Sequence, residues 1–165
     1  MNNDIQIKLI SEDFIKSYRD CVDEVAKERK YLACTEAFPL ENVEAFVKNI
    51  IIKKYPQYIA IENKEVIGWC DILPKELEGF SHVGRLGMGL KKSYRNKGIG
   101  KRLIEKTIEH AKAIGLEKVE LEVFESNKIA IGFYNKYGFK EEGLLIKSRK
   151  LDGKYDNVVV MGYFL

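Results

Sequence analysis

Residues 95–101, Arg-Asn-Lys-Gly-Ile-Gly-Lys, constrain this chain more than any other segment. They follow a glycine-containing run typical of an irregular strand, and they precede the clearest helical pattern in the sequence. The two glycines allow close backbone approach, and the start of a helix presents unpaired N–H groups. Because three basic side chains accompany these groups, the segment predicts a phosphate-binding loop. A solvated basic loop that merely begins a helix is the alternative.

Length, charge and cysteine content narrow the class of protein. The 165 residues predict a single domain over 1–165. A net charge of +3 does not favour a dedicated nucleic-acid-binding protein. Three cysteines without a C-x-x-C pair indicate free thiols in a reducing compartment. No apolar run is long enough to cross a bilayer, and residues 1–4 lack signal-peptide character. We therefore expect a cytoplasmic protein without membrane association.

Hydrophobic periodicity predicts an α/β (α+β) chain in the order β-α-α-β-β-β-α-β-α-β-β, a mixed sheet with helices on its faces. Ser11 is expected to cap the first helix, and Asn63-Lys64 and Asp152-Gly153 are expected to form turns. The strand before the phosphate-binding loop contains three glycines, so a loop is its alternative. Predicted strands occupy residues 5–9, 58–62, 66–73, 82–91, 119–123, 139 onward and 158–164; predicted helices occupy 13–29, 41–54, 99 to a stop at Gly115, and 127–136.

Two familiar phosphate-binding motifs fail on this segment. A P-loop requires glycine at the position of Arg95 and serine or threonine at the position of Arg102. A dinucleotide fingerprint requires G-x-G-x-x-G, which neither Gly87-Met88-Gly89 nor Gly98-Ile99-Gly100 completes. The segment therefore contains neither nucleotide-binding motif, and a solvated basic loop that begins a helix stays open as the alternative.

Arg95-x-x-Gly98-x-Gly100 resembles the Gln/Arg-x-x-Gly-x-Gly/Ala signature of the GNAT superfamily of acetyl-CoA-dependent N-acetyltransferases. Downstream, Asn127, Ala130 and the run from 133 to 139 resemble the second half of the same family, N-x-x-A-x-x-x-Y-x-x-x-G-F. The resemblance is strong from about residue 58 to 142. It implies the GNAT fold, a mixed, mostly antiparallel central sheet of about seven strands flanked by helices.

The resemblance also implies where acetyl-CoA, as cosubstrate, would bind. Loop N–H groups would hold the pyrophosphate, the pantetheine arm would pair with the glycine-containing strand, and Asn127 would orient the cofactor. Gly87 and Gly89 are expected to leave room for this ligand. The implied cofactor-binding residues are Met88, Gly89, Leu90, Arg95, Asn96, Lys97, Gly98, Ile99, Gly100, Lys101 and Asn127.

Tyr134 matches the tyrosine of the family that donates a proton to the departing thiolate. A core aromatic residue is the alternative reading. The residue that deprotonates the amine is left open among Glu125, Asp71, Glu36 and His82, and of these Glu125 is the candidate catalytic partner of Tyr134. Neither histidine has metal-ligand spacing, so no metal site is expected.

We therefore expect an N-acetyltransferase that transfers acetyl from acetyl-CoA to a primary amine by direct attack in a ternary complex. The acceptor would be a small-molecule amine or a protein amino group, and a homodimer is left open. An acyl-CoA-binding regulator without turnover and a basic nucleic-acid-binding module are the alternatives. The basic residues available to the latter are Lys91, Lys92, Arg95, Lys97, Lys101 and Arg102.

Overall fold

In a computed structural model, which describes residues 5–165, the chain forms one seven-stranded sheet with helices on both faces. The strands are β1 (Gln6–Leu9), β2 (Gln57–Glu62), β3 (Glu65–Pro74), β4 (Val83–Leu90), β5 (Lys118–Phe124), β6 (Lys140–Leu151) and β7 (Lys154–Phe164). The helices are α1 (Ile15–Lys27), α2 (Leu40–Lys53), α3 (Ile99–Ala113) and α4 (Lys128–Tyr137). The prediction about residues 1–4 lies outside the described residues.

The strand order is β1-β2-β3-β4-β5-β7-β6. Only β4 and β5 pair in parallel among the strands formed by residues 5–165, and every other neighbouring pair is antiparallel. The predicted mixed, mostly antiparallel sheet with flanking helices is therefore confirmed, and the glycine-containing segment is a strand rather than a loop.

An apolar layer covers each face of the sheet because side chains alternate along every strand. Helices α1 and α2 pack on one face, where Val25, Val47, Ile59 and Trp69 are buried. Helices α3 and α4 pack on the other face, where Leu103, Leu121, Phe139 and Met161 are buried. We refer to these as the α1/α2 face and the α3/α4 face.

The predicted turns form as their residues require. Asn63 and Lys64 have φ of 51° and 65°, and Asp152 and Gly153 have φ of 50° and 75°. Positive φ at both central residues is the geometry of a tight hairpin turn. The expected cap at Ser11 is wrong, because its side chain makes no capping hydrogen bond and a short 3₁₀ turn (Glu12–Phe14) precedes α1.

Strands β4 and β5 pair over only a short distance. Their register joins Val83 to Lys118, Gly84 to Val119 and Arg85 to Glu120, and no further pair forms among the described residues. Residues 86–90 of β4 therefore pair with β3 on one side and have no strand partner within residues 5–165 on the other, and we refer to this unpaired stretch as the β4–β5 gap. The gap interrupts the middle of an otherwise continuous sheet.

None of the helices formed by residues 5–165 has both the length and the apolar character needed to cross a bilayer.

Candidate active site

The β4–β5 gap exposes unused main-chain groups of β4. The N–H of Lys91, just after β4, donates to Ile67 C=O at 2.9 Å, and the β3–β4 register is unbroken. Because N–H groups alternate in direction along a strand, those of Met88 and Leu90 point away from β3 and toward the gap. An extended ligand lying in the gap can therefore pair with β4 as an additional strand would.

The 95–101 loop reaches this gap directly after β4. Its N–H groups at residues 96–101 donate to no acceptor within residues 5–165, and α3 begins at Ile99. Asn96 and Gly98 have φ of 61° and 77°, so the loop turns through two left-handed residues. Consecutive free N–H groups at a helix start form an anion-binding concavity. The predicted phosphate-binding loop has the geometry that this function needs.

The start of α3 lies against the open half of β4. A Cβ added at Gly100 would lie 3.5 Å from Cε of Met88 and 3.6 Å from Cδ1 of Leu90. These are ordinary van der Waals distances, so the helix start and the free N–H groups of β4 share one site. The structure thus brings together the predicted cofactor-binding residues of the strand and the loop.

The side chain of Arg95 points away from the phosphate-binding concavity. Its guanidinium forms a two-pronged ion pair with Glu28 after α1, donates to Leu90 C=O at 2.9 Å, and lies over the Tyr31 ring at 4.7 Å. Hydrogen bonding to Glu28 raises the pKa of Arg95 above its ordinary value. Arg95 thereby holds the loop in place, and its own N–H donates to Lys92 C=O, so the free N–H groups of the loop begin at residue 96.

Lys101 and Lys97 supply the accessible positive charge of the loop. The Lys101 ammonium is 3.7 Å from the Glu105 carboxylate, and its side chain is 70% exposed. Lys97 lies 5.5 Å from the centre of the Tyr94 ring. Exposed charges of this kind add little energy each, so the main chain is the principal anion-binding element.

Tyr134 is deeply buried on the α3/α4 face, where its ring lies 5.4 Å from Phe133 and 5.6 Å from Phe139. Its hydroxyl makes no hydrogen bond within residues 5–165, and burial raises its pKa well above the ordinary value. A phenol in this state is neutral near pH 7 and retains its proton. Asn127 caps α4, since its Oδ1 accepts the Ala130 N–H at 3.2 Å.

Gly87 and Gly89 do not leave room for a ligand on the α1/α2 face. A Cβ at Gly89 would lie 2.4 Å from the Trp69 ring, and one at Gly87 would lie 3.3 Å from Oδ1 of Asp71. Two side chains of β3 therefore extend across the glycines of β4. The predicted role of these glycines is corrected: they admit Trp69 and Asp71 beside the gap.

Asp71 is the most unusual charged residue at the site. Its side chain is 8% exposed, and no group within residues 5–165 donates a hydrogen bond to it. Burial raises its pKa to about 7. Gln57, its cross-strand partner, is fully buried, and neither polar atom of its side chain has a hydrogen-bond partner among the described residues. Trp69 and Asp71 are the register partners of Gly89 and Gly87, and no local sequence pattern indicates this pairing.

The other candidate bases lie in different settings. Glu125 follows β5, where its carboxylate accepts a hydrogen bond from Asn157 Nδ2 at 2.7 Å and lies 3.8 Å from Lys128 Nζ. His82 is exposed at the opposite end of β4 from the gap, and Glu36 is exposed in the connection between α1 and α2. His82 is therefore not brought to the free N–H groups of β4.

Comparison with known proteins identifies the family. The sequence profile of the acetyltransferase (GNAT) family matches residues 13–139. The chain therefore belongs to this family. It is 33% identical over 135 residues to an N-alpha-acetyltransferase of Sulfurisphaera tokodaii, covering 75% of this chain and 77% of that protein. It is 30% identical over 106 residues to the L-amino acid N-acetyltransferase AaaT of Escherichia coli, covering 64% of this chain and 65% of that enzyme.

Solved structures share the whole architecture. An acetyltransferase of the GNAT family from Streptococcus pneumoniae superposes with a TM-score of 0.92 at 24% identity, over 98% of this chain and all of that one. A phosphinothricin acetyltransferase from Sinorhizobium meliloti, solved in complex with AcCoA, gives a TM-score of 0.91 at 16% identity, over 98% and 88% of the two chains. At these identities the likeness establishes the fold, which agrees with the predicted GNAT fold.

Proposed function

We propose that this protein transfers an acetyl group from acetyl-CoA to a primary amine by direct attack in a ternary complex. The observation that carries the proposal is the pair of free N–H groups at Met88 and Leu90, next to the free N–H groups of residues 96–101. A ligand that fits both must have an extended amide-bearing arm and a phosphate end. Acetyl-CoA has this form, and a family member of the same fold binds it.

In this arrangement the pantetheine arm would pair with β4, and the pyrophosphate would lie on the 95–101 loop. Lys97 and Lys101 would add favourable charge, each worth about 0.3–1 kcal/mol at an exposed position. The Nδ2 group of Asn127 remains available to the ligand, since only its Oδ1 caps α4. The predicted cofactor-binding residues are proposed to act in these ways.

The chain's own groups supply the rest of the chemistry. As the amine nitrogen bonds to the thioester carbon, negative charge develops on the carbonyl oxygen, and a main-chain N–H of β4 would stabilise it. Such donors contribute roughly 2.7–4 kcal/mol each in well-studied enzymes. The C–S bond then breaks, and Tyr134 would donate its hydroxyl proton to the leaving thiolate. Tyr134→Phe is therefore expected to lower turnover without weakening coenzyme A binding.

The acceptor is proposed to be a primary amine of a small molecule or of a protein. Two relatives are named for N-alpha-acetylation and for L-amino acid N-acetylation. L-amino acids and peptides with a free α-amino group are therefore the first acceptors to test. We propose a cytoplasmic enzyme that needs no metal.

A thiol-release assay with acetyl-CoA and a panel of amines tests the reaction. Amine-dependent release of coenzyme A thiol is expected, and ligand binding without release with any acceptor would instead indicate an acyl-CoA-binding regulator. Coenzyme A alone should raise the melting temperature, since a ligand of the folded state stabilises it.

Gly100→Glu tests the phosphate-binding loop separately. A Cβ fits at this position without a close contact, so the new carboxylate should repel the pyrophosphate while the fold persists. Coenzyme A affinity is expected to fall at least about tenfold, the effect of roughly 1.4 kcal/mol. Gly79→Glu, in an exposed 3₁₀ turn with open space around it, is the matched control. Wild-type affinity in Gly100→Glu would contradict the assignment.

A further inference from the structure

We propose that Asp71 accepts the proton that a protonated acceptor amine must lose before attack, directly or through one water molecule. The inference rests on the proposed acetyl transfer. It assigns the base to β3, and it leaves Glu125 without that role.

The geometry places Asp71 next to the reacting part of β4. Asp71 is the register partner of Gly87, and its Oδ1 comes within 3.3 Å of the position that a Cβ on Gly87 would take. The next residue is Met88, whose N–H points into the gap. The carboxylate therefore lies one residue from the N–H group proposed to hold the thioester carbonyl. A side chain on β4 at residue 87 would crowd this carboxylate, and glycine avoids that contact.

The surroundings of Asp71 suit a proton acceptor better than a structural carboxylate. A structural buried carboxylate normally receives hydrogen bonds or an ion pair, and Asp71 receives neither within residues 5–165. Tyr18 of α1 is the titratable group packed against it, and Gln57 is its neighbour on β2. Arg85 projects from β4 on the same face, where it is 3.1 Å from Glu122. No cation therefore holds Asp71 permanently ionised, and burial brings its pKa to about 7, close to the working pH.

Acid and base would then occupy opposite faces of the sheet. Asp71 shares the α1/α2 face with Trp69, two residues away on the same strand, whereas Tyr134 lies in the α3/α4 layer. The Glu125 carboxylate lies 3.8 Å from Nζ of Lys128, the first residue of α4, so Glu125 is next to the helix that contains Tyr134. An amine entering from the α1/α2 face would meet Asp71, and the departing thiol would meet Tyr134.

The proton balance of the step is closed. An N–H bond of the ammonium group breaks and an O–H bond forms on Asp71, which leaves a neutral amine. The C–N bond forms, the C–S bond breaks, and the nitrogen loses a second proton to solvent. Tyr134 protonates the thiolate and regains a proton from solvent, and Asp71 releases its proton after the amide leaves.

The test compares wild type, Asp71→Asn and Asp13→Asn by pH–rate profile. Asp13 is exposed at the start of the chain and makes no ion pair within residues 5–165, so Asp13→Asn is the matched control. Asp71→Asn is expected to lower kcat/KM by about 10²–10⁴-fold with a strongly basic amine near pH 7. The deficit should shrink at high pH and with weakly basic amines, which arrive already neutral. The rise in melting temperature with coenzyme A should persist.

Each remaining outcome decides the matter. If Asp71→Asn has the rate and pH profile of wild type, the assignment of Asp71 as the base is wrong and the proposed acetyl transfer is unaffected. A uniform loss that is the same for basic and weakly basic amines also overturns that assignment, because it indicates a structural role. An amine-pKa-dependent loss in Glu125→Gln, absent from Asp71→Asn, transfers the role to Glu125. Wild-type protein that releases no thiol with any amine overturns the proposed function and the inference together.

Discussion

Replacing Asp71 with asparagine is expected to stabilise the folded protein at neutral and alkaline pH. In the folded chain burial raises the pKa of Asp71 from 3.8 to about 7. Each pKa unit corresponds to 1.36 kcal/mol of difference between folded and unfolded states, so the burial of this ionised carboxylate costs at most about 4 kcal/mol. Asparagine keeps the shape and carries no charge, so the variant should recover most of that amount.

The sign of the pH dependence follows from the same numbers. Between about pH 4 and pH 7 the unfolded chain has released the Asp71 proton and the folded chain has kept it. Wild-type stability therefore falls through this window because of this group, and the loss is complete above about pH 7. Asp71→Asn should lack this contribution, so the stability difference between variant and wild type should grow from pH 5 to pH 8.

Urea unfolding at pH 5, 6, 7 and 8 measures this difference directly. Asp13→Asn, an exposed aspartate, should show no such growth. A stability difference for Asp71→Asn that is absent, or constant across the series, would show that the folded protein does not hold a high-pKa carboxyl at this position. Stability gained together with lost turnover would be the usual trade-off at a catalytic group.

The remaining predictions concern the packing of the site. Gly89→Ala should lower the free energy of unfolding by about 1–3 kcal/mol in urea, because its Cβ would lie 2.4 Å from the Trp69 ring. Tyr134→Phe should leave the coenzyme A dissociation constant unchanged in a thermal-shift titration while kcat falls. Arg95→Gln should weaken coenzyme A binding several-fold in the same titration, because the loop loses its ion pair to Glu28.

Matched variants control these three changes. Gly132→Ala adds a Cβ in open space and should not destabilise the fold. Tyr137→Phe removes a hydroxyl from the neighbouring aromatic cluster and should retain turnover. Lys16→Gln breaks an exposed ion pair on α1 and should leave coenzyme A binding unchanged. If the control and the test variant of any pair behave alike, the reasoning for that pair is wrong.

Local chemistry explains why so much of the fold was predictable. The helices have apolar residues at helical spacing, and Gly115 and Gly138 follow α3 and α4 with φ of 88° and 121°. The 95–101 loop was predictable for the same reason, since glycines, basic residues and a helix start lie within seven positions. The predicted helix cap at Ser11 was wrong because capping depends on the geometry of the turn, and a 3₁₀ turn lies between Ser11 and α1.

The relation between Asp71 and Gly87 was not predictable from local patterns. It depends on the register of β3 against β4, which is set only when the two strands pair in the folded chain. From the sequence around them, Gly87 and Gly89 were predicted to leave space for a ligand. Their register partners on β3, Asp71 and Trp69, fill that space on the α1/α2 face. Cross-strand neighbours, rather than sequence neighbours, define this part of the site.

The short pairing of β4 with β5 divides the sheet into two parts. One part has the four strands β1, β2, β3 and β4, and the other has the three strands β5, β7 and β6. Within residues 5–165 only three register pairs of β4 with β5 join the strands of the two parts, so in hydrogen exchange each part should open as its own cooperative unit. A donor molecule bound in the gap would pair with one part and contact the other. Its arrival should therefore slow amide exchange in β5 and β7, on strands beyond the one to which it hydrogen-bonds.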